Sequence, residues 1–85
     1  MKAIVIAVAF AALTLASAQA ATLHKYKSEA SAQKHCPSDT VVWENTAKGV
    51  YHFKGSKYYG KTTTGRYVCQ GEANAHHLKP ASSNQ

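Results

Sequence analysis

The chain has 85 residues, a mass of 9.1 kDa and a formal net charge of +6 at pH 7, because ten Lys and Arg outweigh four Asp and Glu. A chain of this length forms one small domain, which argues against a multi-step enzyme, and we predict no cofactor. The excess of positive charge favours anionic partners.

Residues 1–20 have the pattern of a secretory signal peptide. Lys2 provides the positive start, residues 3–15 are almost wholly apolar, and Ala18 and Ala20 are small residues suited to a cleavage site. The apolar run is shorter than the roughly 20 residues of a membrane span, and no second one follows. We therefore predict cleavage rather than a membrane anchor, no transmembrane segment in the mature chain, and a bacterial protein that is periplasmic or secreted.

Cys36 and Cys69 are the two cysteines, and both follow the signal. An even count in an exported protein favours a disulfide, here closing a loop of about 33 residues and stabilising the fold by about 3–4 kcal/mol. That is comparable to what a core with so few large aliphatic residues contributes. The alternatives are a thiolate metal pair and a reactive thiol, and both lack the C-x-x-C spacing that supports them.

Residues 21–79 are predicted to form an α+β domain, and residues 80–85 a disordered tail. Ser28 can cap a short helix that extends to His35, and Pro37 stops it. Beyond it, β-branched and aromatic residues predict a sheet of approximately three antiparallel strands, at residues 40–43, 50–53 and 66–69. Tyr58 and Tyr59 are a candidate extension of the sheet, and a closing helix is predicted over residues 72–79.

The predicted core consists of apolar and aromatic side chains from these segments. Strand register decides which of them face inward, and the sequence leaves it open. The candidates are Val41, Trp43, Val50, Phe53, Tyr59, Tyr67 and Val68.

The segment from Cys36 to Cys69 resembles a pattern in short exported bacterial proteins of uncharacterised function. Its residues are C-P-S-D-T-V-V-W at 36–43, V-Y-H-F at 50–53, Y-Y-G-K-T at 58–62 and G-R-Y-V-C at 65–69. Residues 50–75 are also similar to a β-β-α module of Ada-like metal-binding domains and some secreted nucleases. Because Ser56 stands at about the place of that module's cysteine, the resemblance implies a fold more than a metal site or an activity.

A run of cations lies between Glu44 and Glu72, where the chain has no acid. Cations attract anionic groups, and the interleaved aromatic rings can stack on bases or sugars. We predict a non-enzymatic protein that binds an anionic polymer or surface non-specifically, whether nucleic acid, cell-envelope polysaccharide or lipid headgroups. The predicted binding residues are Lys54, Lys57, Tyr58, Lys61 and Arg66. The alternative is that the tyrosines form the core and the lysines solvate its rim.

Five histidines support a second hypothesis, a periplasmic zinc- or copper-binding protein, with His52 and His76 as candidate ligands. The alternative is that the imidazoles are solvated or cap helices, since His76 and His77 diverge by about 100° on a helix. Signal cleavage after Ala21 would make His24 the third residue, a position suited to square-planar copper(II) or nickel(II).

A third hypothesis is a small secreted toxin or nuclease-like enzyme. The four acids are scattered along the chain, and the one pair considered for ribonuclease-type chemistry is His52 with Glu44 across a hairpin. We predict no catalytic residues.

Overall fold

The computed structural model describes residues 22–82. The predicted signal peptide and the last tail residues, 83–85, lie outside this range. The described chain is a small α+β fold with two helices and one four-stranded sheet. Its elements in chain order are α1 (Glu29–His35), β1 (Val41–Asn45), β2 (Val50–His52), β3 (Arg66–Cys69), α2 (Gln70–Ala75) and β4 (Lys79–Pro80).

Helix α1 forms where the sequence predicts it. The Ser28 hydroxyl accepts a hydrogen bond from the backbone N–H of Ser31 at 3.1 Å, which satisfies one of the unpaired donors at the helix start. Glu29 lies in the first turn and Lys34 in the last turn, where each charge interacts favourably with the helix dipole; His35 also lies in the last turn. The predicted cap is confirmed.

The sheet differs from the prediction of three antiparallel strands. Its strand order is β3-β1-β2-β4; β1 pairs antiparallel with β2 and β3, whereas β4 pairs parallel with β2. Helix α2 ends early because His77 adopts a left-handed conformation with φ 65°. The chain then turns back, and Ala81 donates a backbone hydrogen bond to Tyr51 at 2.8 Å. Pro80, assigned to the tail from sequence, therefore belongs to a strand.

Residues 54–60 form successive turns instead of extending the sheet through Tyr58 and Tyr59. Gly55 and Gly60 have φ angles of 96° and 70°, which glycine adopts readily. Backbone hydrogen bonds from Tyr59 to Ser56 and from Lys61 to Tyr58 close two of these turns. Strong β propensity at the tyrosines is thus overridden by the glycines on either side.

The core lies between the sheet and α2, where Tyr51, Val42, Val68 and Ala73 are buried and Leu23 and Leu78 pack against them. Tyr51 is only 2% exposed and donates its hydroxyl to Asn74 of α2 at 2.7 Å. Phe53, predicted to be core, lies just beyond the end of β2 and is 42% exposed.

The remaining predicted core residues divide into two groups. Val41, Trp43 and Val68 are buried, and Val50, Tyr59 and Tyr67 are partly buried.

Within residues 22–82, no helix has the length and the apolar character that crossing a membrane would require.

The predicted disulfide joins Cys36 to Cys69, with the two Cα atoms 6.3 Å apart. Cys36 is the C-cap of α1, and Cys69 ends β3 and is the N-cap of α2. One covalent link therefore fixes both helices to the same edge of the sheet.

A basic cleft and a histidine cluster

The structure separates the five predicted anion-binding residues. Lys54 donates to Glu29 at 2.8 Å, and that hydrogen bond together with the charge of Glu29 raises the pKa of Lys54. The Lys57 ammonium lies 5.3 Å from the centre of the Tyr58 ring, a cation–π contact. Tyr58, Lys61 and Arg66 instead face two neighbouring cavities.

Both cavities are lined in part by the loop of residues 62–64, and we call them together the basic cleft. The first has a volume of about 380 Å³ and is lined by Lys25, Thr46, Thr63, Thr64, Gly65 and Arg66. The second has a volume of about 340 Å³ and is lined by Asn45, Ala47, Lys48, Tyr58, Lys61, Thr62, Thr63 and Thr64. Because Thr63 and Thr64 belong to both linings, the cavities adjoin.

The 62–64 loop is held in place by Trp43 of β1. The indole N–H of Trp43 donates to the Thr62 hydroxyl at 2.7 Å, and that hydroxyl donates to the carbonyl of Thr64 at 2.6 Å. Gly65 packs directly against the indole, with no room for a side chain. The loop is therefore ordered before any ligand arrives.

The cleft is lined by four cations and by no carboxylate. The nearest acid in the strands is Glu44, which is 5% exposed and lies opposite Arg66 in the pairing of β1 with β3. A Glu44 carboxylate oxygen lies 3.4 Å from the Lys25 ammonium, an ion pair without hydrogen-bond geometry. Lys48 and Lys61 have no ion-pair partner among residues 22–82, so they leave the cleft positive.

Sequence reasoning missed Lys25 and did not assign Lys48 to the site. Lys25 reaches the cleft because the next residue, Tyr26, exchanges two backbone hydrogen bonds of 2.9 Å with Tyr67 of β3. Nothing local to Lys25 indicates this pairing. Lys48 belongs to the same run of cations as Lys61, and that run was the one available signal.

A second polar constellation consists of His24, His35 and Glu72, none of which lines either cavity. Glu72 accepts from the His24 backbone N–H at 2.8 Å and contacts the His35 Nε2 at 2.8 Å. The His24 Nδ1 lies 3.3 Å from both carboxylate oxygens, and the two imidazole centres are 4.3 Å apart. We call these three residues the histidine cluster.

Two opposing effects determine the charge of Glu72. Its partial burial alone would raise the pKa of the carboxyl. Hydrogen bonds from the His24 backbone and from both imidazoles favour the ionised form, and the net result is a lowered pKa. Glu72 is therefore a carboxylate at neutral pH.

The two histidines proposed from sequence as metal ligands, His52 and His76, are not in this cluster. His52 is 3% exposed in β2 and lies opposite Trp43, while His76 is the C-cap of α2. Among residues 22–82, the one group of three His, Cys, Asp or Glu with converging ligand atoms is the histidine cluster. Its members are 48 and 37 residues apart in sequence, which is why no spacing motif revealed it.

The fold bears on two other hypotheses from the sequence, the catalytic pair of His52 with Glu44 and the amino-terminal copper site at His24. Glu44 is opposite Tyr51 and His52 is opposite Trp43, so the side chains of Glu44 and His52 project from opposite faces of the sheet and cannot act together. The His24 backbone N–H donates to Glu72, whereas a square-planar amino-terminal copper site would need that amide nitrogen as a ligand.

We expect that His52→Phe raises the free energy of unfolding by about 1 kcal/mol, because burying a polar group without a partner is unfavourable. Neither ring nitrogen of His52 has a hydrogen-bond partner among the described residues, and phenylalanine has similar bulk and favours strands. Urea denaturation of the variant and the wild type measures the change. A loss of more than 1 kcal/mol would mean that the imidazole has a bound water or another partner.

Comparison of the chain with protein-family models, with curated proteins and with solved structures finds no match.

Proposed function

We propose that this protein is a non-enzymatic, exported protein that binds an acidic polysaccharide through the basic cleft. The single observation that carries the proposal is the pair of adjoining cavities lined by four cations, of which Lys48, Lys61 and Arg66 have no ion-pair partner among the described residues, while Lys25 pairs with Glu44. A cleft with one sign of charge concentrates the opposite charge from solution. Two adjoining cavities suit successive anionic groups of a linear chain better than one isolated anion.

The other groups that line the cleft favour a sugar over a nucleic acid. Threonine hydroxyls and the Asn45 amide supply hydrogen-bonding groups, and Tyr58 is the one aromatic residue in either lining. Proteins that bind single-stranded nucleic acid without sequence preference place several aromatic side chains under successive bases. One ring beside many hydroxyls matches a polymer of charged, hydroxyl-rich units.

Binding to fluorescent dextran sulfate tests the proposal, with uncharged dextran and a single-stranded oligonucleotide as comparisons. We expect affinity for dextran sulfate to fall steeply between about 50 and 200 mM salt, as it does when cations displace condensed counterions. Lys48→Gln and Lys61→Gln are each expected to reduce the slope of log affinity against log salt by about 1.

Lys34→Gln is the matched control, because Lys34 is exposed on α1 and lines neither cavity. If Lys34→Gln reduces the slope as much as Lys61→Gln does, binding depends on net charge and the cleft is not the site. Tighter binding of the oligonucleotide than of dextran sulfate would identify nucleic acid as the preferred polymer and contradict the assignment to polysaccharide.

A further inference from the structure

The histidine cluster brings together three side chains from three separate parts of the chain. His24 lies in the segment before α1, His35 is the last residue of α1, and Glu72 lies in the first turn of α2. One ligand atom from each residue lies within 4.8 Å of the other two. The cluster and the basic cleft use different side chains, since none of the three residues lines either cavity.

Two features of the fold hold the ligands in this arrangement. The disulfide links Cys36, the residue after His35, to Cys69, which caps the helix that carries Glu72. The exchange of backbone hydrogen bonds between Tyr26 and Tyr67 fixes the segment that carries His24. The cluster is therefore placed by covalent and backbone contacts that its own side chains do not supply.

The chemistry of the three partners suits a metal ion better than it suits a simple ion pair. Lys and Arg are abundant in this chain, yet both ion-pair partners of Glu72 among the described residues are imidazoles. A neutral imidazole has a nitrogen lone pair that can coordinate a metal, which a protonated Lys or Arg lacks. Two imidazoles with one carboxylate form a ligand set that zinc(II) accepts, with a fourth position left for water.

Two of the three distances between ligand atoms are close to those of a tetrahedral zinc site. Ligand atoms with bonds of about 2.0–2.1 Å to a tetrahedral ion lie about 3.3 Å from one another. The His24 Nδ1 and the Glu72 Oε2 are 3.3 Å apart, and the His35 Nε2 lies 2.8 Å from the same oxygen. The ligand nitrogens of His24 and His35 lie within 4.8 Å of each other, and since these side chains are 46% and 30% exposed, the rings can move to close the remaining gap.

Glu72 is already oriented for this role. Its Oε1 accepts the His24 backbone N–H at 2.8 Å, and its Oε2 lies 3.3 Å from the His24 Nδ1 and 2.8 Å from the His35 Nε2. Hydrogen bonds of this kind to a ligating group fix its direction and increase metal affinity. We propose that His24, His35 and Glu72 form a zinc(II) site with one coordination position open to solvent.

The test is a zinc titration of the protein as recovered from its host, purified without a polyhistidine tag. Calorimetry and imidazole ¹⁵N chemical shifts follow the binding. We expect one equivalent of zinc, shifts at His24 and His35 but not at His52 or His77, and no response to Mg²⁺ or Ca²⁺, which prefer oxygen ligands. His24→Ala, His35→Ala and Glu72→Gln should each weaken binding by at least about tenfold, since losing even an outer partner of a metal ligand costs 10–100-fold.

His77→Asn is the matched control. It removes an exposed imidazole outside the cluster, and asparagine tolerates the left-handed conformation found there. Of the three variants, His24→Ala should disturb folding least, because the His24 side chain is exposed to solvent and the residue lies outside the helices and strands. Unchanged zinc affinity in His24→Ala, equal loss in His77→Asn, or no binding at about 1 mM zinc would each overturn the proposal.

Discussion

Reduction of the Cys36–Cys69 disulfide is expected to lower the free energy of unfolding by about 3–4 kcal/mol. The two cysteines are 33 residues apart, and opening a loop of that length returns a large conformational entropy to the unfolded chain. The core that remains is small, with Tyr51, Val42 and Val68 as its largest fully buried side chains besides Cys69. Small domains of this kind have total stabilities of only a few kcal/mol, so the reduced protein should be largely unfolded.

Urea denaturation with and without a dithiol reductant measures this change. Trp43 is the single tryptophan and is 9% exposed, so its fluorescence reports directly on unfolding of the sheet. The Cys36→Ala, Cys69→Ala double variant should match the reduced wild type and should not respond to reductant. A loss below about 1 kcal/mol would mean that non-covalent contacts hold α1 and β3 together without the disulfide.

The parts of the fold that could be predicted from sequence are those determined by local chemistry. Ser28 and Pro37 delimit α1, and the β-branched residues Val41 and Val42 begin β1, so both elements appear close to their predicted places. The end of α2 could not be predicted in the same way. The end of this helix depends on the left-handed turn at His77 and on the pairing of β4 with β2. Both are set by tertiary structure, and the sequence there has neither a glycine nor a periodic pattern that would predict them.

The two candidate sites also differ in how far they depend on local sequence or on long-range contacts. Tyr58, Lys61 and Arg66 lie in one short run and share the cleft, whereas Lys25 joins them through the bridge from Tyr26 to Tyr67. The histidine cluster depends on long-range contacts throughout, but one signal for it was present in the sequence. The disulfide was predicted, and since Cys36 follows His35 and Cys69 precedes Glu72 by three residues, it implies that these two side chains are neighbours.

A methyl group added at residue 65 should be among the most damaging small changes in the chain. An alanine Cβ at this position would lie 2.6 Å from the Glu44 carbonyl oxygen and in direct overlap with the Trp43 indole. Moving either neighbour costs free energy, because the Glu44 carbonyl belongs to the backbone of a strand and the Trp43 ring is held by its hydrogen bond to Thr62. We expect Gly65→Ala to lower the free energy of unfolding by about 2–3 kcal/mol, the upper part of the range that is usual for overpacking a tight site.

The same substitution also tests whether the position of the 62–64 loop affects binding, provided that binding is measured on the folded fraction of the protein. Gly49→Asn is the control, because Gly49 has open space around it and the substitution adds only the backbone strain of a φ of 68°, which for asparagine should cost about 1 kcal/mol. Dextran sulfate binding by the folded fraction of Gly65→Ala should fall as well, because relief of the clash moves the loop that lines both cavities. Wild-type stability in Gly65→Ala would show that β1 and the loop shift together at little cost, and the cleft would then be adaptable rather than fixed in advance.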